Sequence, residues 1–293
     1  MASSVVHTLI QSRLEEYLNL PVSSILFQPI GGGSINKTYK ILIAKTGAFF
    51  CKINSASRFP SLFQKEKNGL LLLAEQKIIR TPSPKACEEI HGEQILVLEW
   101  IEQGQKTIKF WQIFGEQLAK LHRSTNNDFG LVEDNYMGAL QQSNSPSKTW
   151  VHFFIHQRLE PQVKIARDNH LLDANHITQF NKLYSSLPGI FPEEQASLLH
   201  GDLWSGNFLC DERSLPVLID PAVYFGNRNI DLAMTTLFGG FDDAFYAAYN
   251  YHFALPPNHR QIWDVCNLYP LLIHLNLFGK SYLHDILHTI QRY

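Results

Sequence analysis

His200-Gly201-Asp202-Leu203-Trp204-Ser205-Gly206-Asn207, followed by Val217-Leu218-Ile219-Asp220-Pro221, is the stretch whose reading decides the fold. Asp202 and Asn207 stand in the register D-x-x-x-x-N. In that register a carboxylate can orient a hydroxyl and take its proton, while a side-chain amide oxygen helps to hold Mg²⁺. Asp220 opens a turn after a short apolar run, where a second metal-binding carboxylate is needed. Mg²⁺ takes oxygen ligands, usually one or two carboxylates completed by phosphate oxygens and water. The stretch therefore points to phosphoryl transfer onto a small-molecule hydroxyl. The same residues also fit a plain surface turn, since Gly, Asp, Asn and Ser all form turns. Strand-like runs at 196–199 and 217–219 favour the first reading. They put the three side chains on one loop–strand–loop unit, where they can converge.

The residues before this unit supply what such chemistry needs. Residues 5–18 carry Val5, Val6, Leu9, Ile10, Leu14 and Leu18 at helical spacing, and Pro21 is expected to end that helix. Residues 24–30 and 38–43 are strand-like and flank Gly31-Gly32-Gly33-Ser34. A glycine turn between strands can lay backbone N–H groups over phosphates, with Gly32 and Gly33 as the contacts, because no Cβ blocks the approach. The turn matches neither common phosphate-loop pattern and serves equally as a hairpin turn. Residues 48–53 form another strand, with Lys52 among Phe49, Phe50 and Ile53. A lysine in such a run needs a partner. In one reading Lys52 contacts the α- and β-phosphates of ATP and is held by Glu66, fourteen residues on, in a helix expected over 62–75, with Glu75 as the fallback. In the other it is an edge-strand lysine facing solvent, because strand alternation puts it opposite Cys51 and Ile53. Residues 94–100 are an apolar strand. Leu98, Glu99 and Trp100, with Glu102-Gln103-Gly104, make a connection on whose backbone an adenine ring could dock.

Beyond this point the pattern turns helical. Helices are expected over 109–122, 150–169, 175–187, 231–251 and 261–277, with a polar, turn-rich loop at 124–148. The order is a β-rich front, a helical back and an active segment between helices of the back. The expected fold is α+β and bilobal, like a protein kinase. An antiparallel, nucleotide-binding N-lobe spans 1–103 including the hinge, and a mainly helical C-lobe with the catalytic loop and substrate site spans 104–293.

Composition bounds the rest. The 293 residues are 45% hydrophobic and 18% charged, ordinary for a globular chain with a real core. A net charge of −2 gives no electrostatic case for nucleic acid or anionic membrane. The four cysteines show no C-x-x-C spacing, which fits a reduced compartment better than a disulfide framework or zinc site. The N-terminus does not read as a signal peptide, and no apolar run is long enough to span a bilayer, so a cytoplasmic protein is expected. The thirteen histidines show no H-x-x-x-H metal pattern.

The whole stretch 200–207 closely resembles the signature loop of the fructosamine kinase (ketosamine-3-kinase) family. Aminoglycoside and choline kinases share the Asp and Asn spacing but usually lack the L-W-S-G between them. Further matches include Cys51-Lys52-Ile53-Asn54, Asp134-Asn135-Tyr136-Met137-Gly138, Asp220-Pro221-Ala222, Asp231-Leu232-Ala233 and Phe238-Gly239-Gly240-Phe241, so the resemblance covers nearly the whole chain. It implies an aminoglycoside-phosphotransferase type of kinase fold. It also implies ATP- and Mg²⁺-dependent phosphorylation of the sugar 3-hydroxyl of a ketosamine, carried by a small amine or a protein lysine. The phosphorylated adduct tends to decompose, which associates the family with deglycation repair.

Residue by residue, the resemblance makes Asp202 the base, Asn207 and Asp220 the Mg²⁺ ligands, Lys52 the phosphate contact, Glu66 its partner and 98–101 the adenine connection. Two departures stand out. Ser34 replaces a cysteine that some members use for redox-dependent dimerisation. Asn229 stands where a glutamate often precedes the D-L-A motif.

Two other readings compete. One is a kinase for an aminoglycoside or choline, to which Glu133, Asp134, Asp242 and Asp243 would lend acidity. The other is a nucleotide-binding regulator without catalysis, against which all five polar site residues are present.

Overall fold

The computed structural model describes residues 4–19, 25–31, 35–44 and 47–293. Pro21, Gly32, Gly33 and Ser34 lie outside the described residues.

The front of the chain is a five-stranded antiparallel sheet in the order β1-β2-β3-β5-β4, from β1 (Ile25–Ile30), β2 (Lys37–Ile43), β3 (Gly47–Ser55), β4 (Pro84–Ile90) and β5 (Glu93–Glu99). Period-two alternation splits its side chains between two helices. Phe49, Cys51 and Ile53 of β3, with Ile95 and Val97 of β5, pack under Val6, Ile10 and Leu14 of α1 (Ser4–Leu18). Leu96 and Leu98 pack on the other face against Leu62, Phe63 and Leu70 of α2 (Leu62–Glu75). Both faces are covered, so β3 and β5 read as nearly continuous apolar runs. Lys52, one residue out of phase with Cys51 and Ile53, faces α2. It pairs across the sheet with Thr38 and Leu96, so β3 is an inner strand and the edge-lysine reading fails.

No side chain caps α2 at Ser61 (φ 58°). Instead buried Gln94 of β5 accepts from Phe63 N at 3.0 Å and donates to Phe59 O at 2.6 Å, which fixes where the helix starts. Strand β4 escapes a sequence reading. It is an edge strand with Lys85, Glu88 and Glu89 and no buried position, so it lacks the apolar alternation that marks a strand.

After Glu99 the chain is mainly helical. Helix α3 (Ile108–Leu121), capped by Thr107, packs on α8 (Asp243–His252). Between them lie short strands β6 (Thr125–Asn126), β7 (Asn135–Met137) and β8 (Leu140–Gln142). The segment 150–168 is a continuous helical run, α4 (Trp150–Phe153) and α5 (Glu160–Asp168) joined by a wider π-type turn. Helix α6 (Ala174–Ile190) leads into β9 (Ala196–Leu199), then β10 (Phe208–Cys210), β11 (Pro216–Leu218) and β12 (Tyr224–Gly226).

The expected helix over 231–251 is two helices, α7 (Asn229–Leu237) and α8. Gly239 and Gly240, at φ 68° and 89°, interrupt it, and Asp242 caps the second. The one expected over 261–277 likewise divides at Asn267 into α9 (His259–Cys266) and α10 (Leu268–Phe278). A last helix, α11 (Leu283–Ile290), was not anticipated.

One apolar cluster runs through these helices. Among the described residues no helix is long and apolar enough to cross a membrane, and all four cysteines are free.

Candidate active site

Strand pairing brings the candidate site residues of 200–207 and 220 together. Strands β10 and β11 pair with Phe208 opposite Leu218, and one step further Ile219 N donates to Asn207 O at 3.1 Å. Asn207 and the residue after Ile219, Asp220, therefore emerge side by side. Strands β9 and β12 pair with Leu199 opposite Tyr224, and Ala222 N donates to His200 O at 2.9 Å. The loop 200–207 is thus tied to the segment 219–222 at both ends. Gly201, at φ 84°, is required there, because a Cβ would stand 2.1 Å from Ala222 O.

Buried His200 sits between the two segments. Its Nε2 faces Ile219 O at 2.9 Å, and a carbonyl only accepts, so Nε2 carries the proton and Nδ1 accepts from Asp202 N at 3.2 Å. Burial lowers the His200 pKa, in keeping with this neutral tautomer. Asp231 of α7, fully buried, completes the support. Its two oxygens accept from His200 N (2.8 Å) and Gly201 N (2.9 Å), and His122 Nε2, itself bonded through Nδ1 to the Tyr249 hydroxyl, lies 3.2 Å away. Asp231 belongs to a motif noted in the sequence. Its task, anchoring the loop backbone, is visible only in three dimensions.

Asp202 Oδ2 accepts from Asn207 Nδ2 at 2.8 Å. Burial pushes the Asp202 carboxyl up to about 7, with Asp220 and Asp231 nearby, against the pull of the Asn207 amide. Across the site, Lys52 Nζ reaches Glu66 Oε1 at 2.8 Å and Asp220 Oδ1 at 2.7 Å. Burial opposes the Lys52 charge, but Asp220 and Glu66 outweigh it and hold its pKa above the ordinary value. Burial likewise raises Glu66, to about 7, against the attraction of Lys52. Glu75 is exposed at the far end of α2 and plays no part.

Lys52, Glu66, Asp202, Asn207 and Asp220 all line one cavity of about 550 Å³, in the range of small-molecule sites. Its remaining wall is largely apolar, including Met137, Trp204, Met234, Phe238, Ile273 and Leu277. Trp204 is held by Phe238, ring centroids 5.8 Å apart, and by Gly206, where a Cβ would stand 2.3 Å from the indole. The sequence singled out Trp204 as part of a motif, but Phe238 and α10 were read only as motif and core.

Leu98, Glu99 and Trp100 do not line this cavity. Leu98 is buried against α2, and Trp100 carries the Lys40 ammonium 3.9 Å over its ring. Glu99 pairs with Arg80, which also reaches Asp211 at 2.9 Å, so Arg80 links the sheet to the β10–β11 unit; sequence spacing gave no hint of it.

Glu133, Asp134, Asp242 and Asp243 stay out of the cavity as well. Glu133 accepts from Asn68, Asp134 from Asn144 N, and Asp242 caps α8. Asn229, standing where a glutamate was noted as usual, is buried and bonded to Asn227 and to the Trp263 indole.

The oxygen donors suit Mg²⁺. Both hydrogen bonds of the Asn207 side-chain amide to Asp202 are donated by its nitrogen, so its Oδ1 remains available, and the Asp220 side chain, which lines the cavity, is 43% exposed. Among the described residues no group of three or more His, Cys, Asp or Glu side chains could hold a metal alone. Two protein oxygens leave the remaining positions to phosphate and water, as Mg²⁺ in phosphoryl-transfer sites prefers.

The comparisons with known proteins agree with this geometry. The profile of the fructosamine kinase family matches residues 6–293. A "probable ketoamine kinase" of Lactiplantibacillus plantarum is 37% identical over 266 residues, 90% of this chain and 92% of that protein. The chloroplastic protein-ribulosamine 3-kinase of Arabidopsis thaliana is 34% identical over 269 residues, 90% of this chain and 81% of that one. The crystal structure of a candidate fructosamine-3-kinase from Thermobifida fusca superposes with a TM-score of 0.86 at 29% identity, covering 96% of this chain and 97% of that one. Fold, paired carboxylates and matched length converge, and the chain belongs to the fructosamine kinase family, ATP-dependent kinases that phosphorylate a sugar hydroxyl.

Proposed function

We propose that this protein transfers the γ-phosphoryl group of ATP to the 3-hydroxyl of a ketosamine, with Asp202 as the base. The observation that carries the reading is the shared cavity. Asp202, oriented by Asn207 at 2.8 Å, opens onto the same space as the Lys52–Asp220 pair at 2.7 Å. Asp202 orients the acceptor hydroxyl and takes its proton as that oxygen bonds to phosphorus and ADP departs. Lys52, fixed by Glu66, neutralises phosphate charge. Asn207 and Asp220 are the side chains that would hold Mg²⁺, which when bound supplies further charge neutralisation across the phosphates.

Gly32 and Gly33 are proposed as backbone phosphate contacts and residues 98–100 as the adenine connection. Residues 1–103 then form the nucleotide lobe and 104–293 the catalytic and acceptor lobe. The apolar wall beside Asp202, and the engagement of Glu133, Asp134 and Asp242 elsewhere, favour a ketosamine over a polycationic aminoglycoside. The names of the relatives agree, one a ketoamine kinase and one acting on protein-bound ribulosamine. Both free and protein-linked ketosamines fit the proposal, and release of the phosphorylated sugar would make it a deglycation enzyme.

ADP release with ribulose-lysine and fructose-lysine, with choline and kanamycin alongside and Asp202→Asn as the blank, tests this. Turnover on a ketosamine, abolished in the variant, is expected. Turnover on choline or kanamycin alone would overturn the acceptor assignment and leave the residue roles standing.

A further inference from the structure

The loop at 124–148 holds a hairpin whose buried polar residues have no part in the chemistry described so far. Strands β7 and β8 pair Asn135 with Gln142. The two side chains form a directed chain of hydrogen bonds. The Tyr269 hydroxyl of α10 donates to Gln142 Oε1 at 2.8 Å, Gln142 Nε2 donates to Asn135 Oδ1 at 2.7 Å, and Asn135 Nδ2 donates to Val223 O at 2.7 Å. Gln142 Nε2 also reaches Ala222 O at 3.3 Å. The chain ends on carbonyls, which only accept, so neither amide can flip without losing its partner. Gln142 is 1% exposed, Tyr269 2% and Asn135 6%, so water cannot replace any of these bonds.

Ala222 and Val223 follow Asp220-Pro221 directly. Asp220 stands at φ 54°, a left-handed conformation that a non-glycine residue keeps only where its surroundings hold it. The hairpin also grips the helix carrying Glu66. Lys65 donates to Asp134 O at 2.6 Å, Asn68 to Glu133 at 2.9 Å, and the Tyr136 hydroxyl to Pro60 O at 3.0 Å. One small hairpin thus holds both carboxylates that flank Lys52.

We propose that Asn135 and Gln142 are positioning residues for Asp220. They fix the carbonyls of residues 222 and 223 so that the Asp220 carboxylate presents to the metal of the nucleotide complex. This rests on the reading of Asp220 as a metal ligand. Asn135 also borders the cavity while Gln142 lies behind it, and both act on Asp220 through the backbone of 220–223.

The test is Mn²⁺ binding to the ATP-loaded enzyme, read by electron paramagnetic resonance, beside metal-free ATP affinity and the urea midpoint. Gln142→Met keeps the bulk and removes the bonds. It is expected to weaken Mn²⁺ binding about tenfold, the low end for losing a group that orients a metal ligand, with metal-free ATP affinity unchanged. Tyr269→Phe, which deletes a single hydroxyl at the far end of the chain, is expected to weaken it in the same direction by less. If Gln142→Met lowers the midpoint while Mn²⁺ affinity holds, the hairpin is structural packing only and the proposal falls. Should Gln142→Met fail to fold, unchanged Mn²⁺ affinity in Tyr269→Phe overturns the proposal equally. Asp220→Asn is the control: if it binds Mn²⁺ like the parent, the metal-ligand reading has failed rather than the positioning one. The readout is independent of which acceptor the enzyme uses.

Discussion

Lys52 and Asp202 are both charged groups set into apolar surroundings, yet the molecule holds them by different means. Lys52 stands on an inner strand of a regular sheet. Its direction follows from alternation, and its partner Glu66 comes from the helix covering that face. Asp202 lies on an irregular loop with no ladder of its own. It is placed by His200, by the two backbone bonds to Asp231 and by the Asn207 amide. A periodic element fixes a side chain through local geometry. A loop must import its rigidity from distant residues, because its own backbone groups would otherwise be left unpaired. Asp220 joins the two regions, salt-bridged to Lys52 while its own backbone belongs to the segment 219–222 that is tied to the loop at both ends.

The sharpest way to test the contrast is at Asp202, the proposed base. Asp202→Asn preserves shape and should lower kcat by about 10³-fold, within the usual range for a general base, while ATP affinity measured by fluorescence titration stays near the parent value. A large loss of ATP affinity would mean that Asp202 acts in nucleotide binding instead.

Asp231→Ala strikes the imported support. It strands two buried backbone N–H groups and should cost about 3 kcal/mol in urea unfolding, together with a lower kcat. An unchanged midpoint would show that the loop holds itself.

Lys52→Met strikes the periodic side. It should reduce kcat/KM for ATP about a hundredfold, comparable with losing one preorganised charge-stabilising donor. Amide exchange of residues 200–207 should be unaffected. Faster exchange there would show that the two regions are not separately supported.

The smallest effect is on pH. Burial depresses the His200 pKa below its ordinary value of 6.5. Below that pH the unfolded chain takes up a proton that the folded one refuses, so stability falls as pH drops, by at most about 1.4 kcal/mol per unit. The slope should flatten in His200→Gln. A slope that persists would assign it to another group.

How much of this was legible beforehand follows the same division. Helix 62–75 and the strands around Lys52 matched closely because periodic burial leaves a periodic pattern. The edge strand β4 and the division of the helices at Gly239-Gly240 and at Asn267 were missed. An edge strand need not alternate, and a helix break depends on local backbone that composition only hints at. The loop at 124–148 reads as a loop over a site or a variable surface loop, and residues 135–139 do border the cavity, but its polar composition suggests solvent throughout. Asn135 and Gln142 are instead buried, their amides satisfied by groups 88 and 127 residues away in the chain. Arg80 was invisible for the same reason, since its partners Glu99 and Asp211 lie 19 and 131 residues off.

By itself the sequence pointed to the reaction type and singled out the residues proposed to carry it: Asp202 and Asn207 five apart on one loop, Asp220 after the next strand, and Lys52 with Glu66 one helix away. Those assignments rest on covalent spacing and on the two periods of regular structure, which are local. Only the tertiary structure decided that Lys52 is buried and bridges two carboxylates, that Asp231 anchors the catalytic loop, and that a hairpin secures the segment carrying Asp220. Each of these is a buried polar group whose partner comes from elsewhere in the chain. Burial makes a specific partner obligatory, while the order of residues does not say which one it will be.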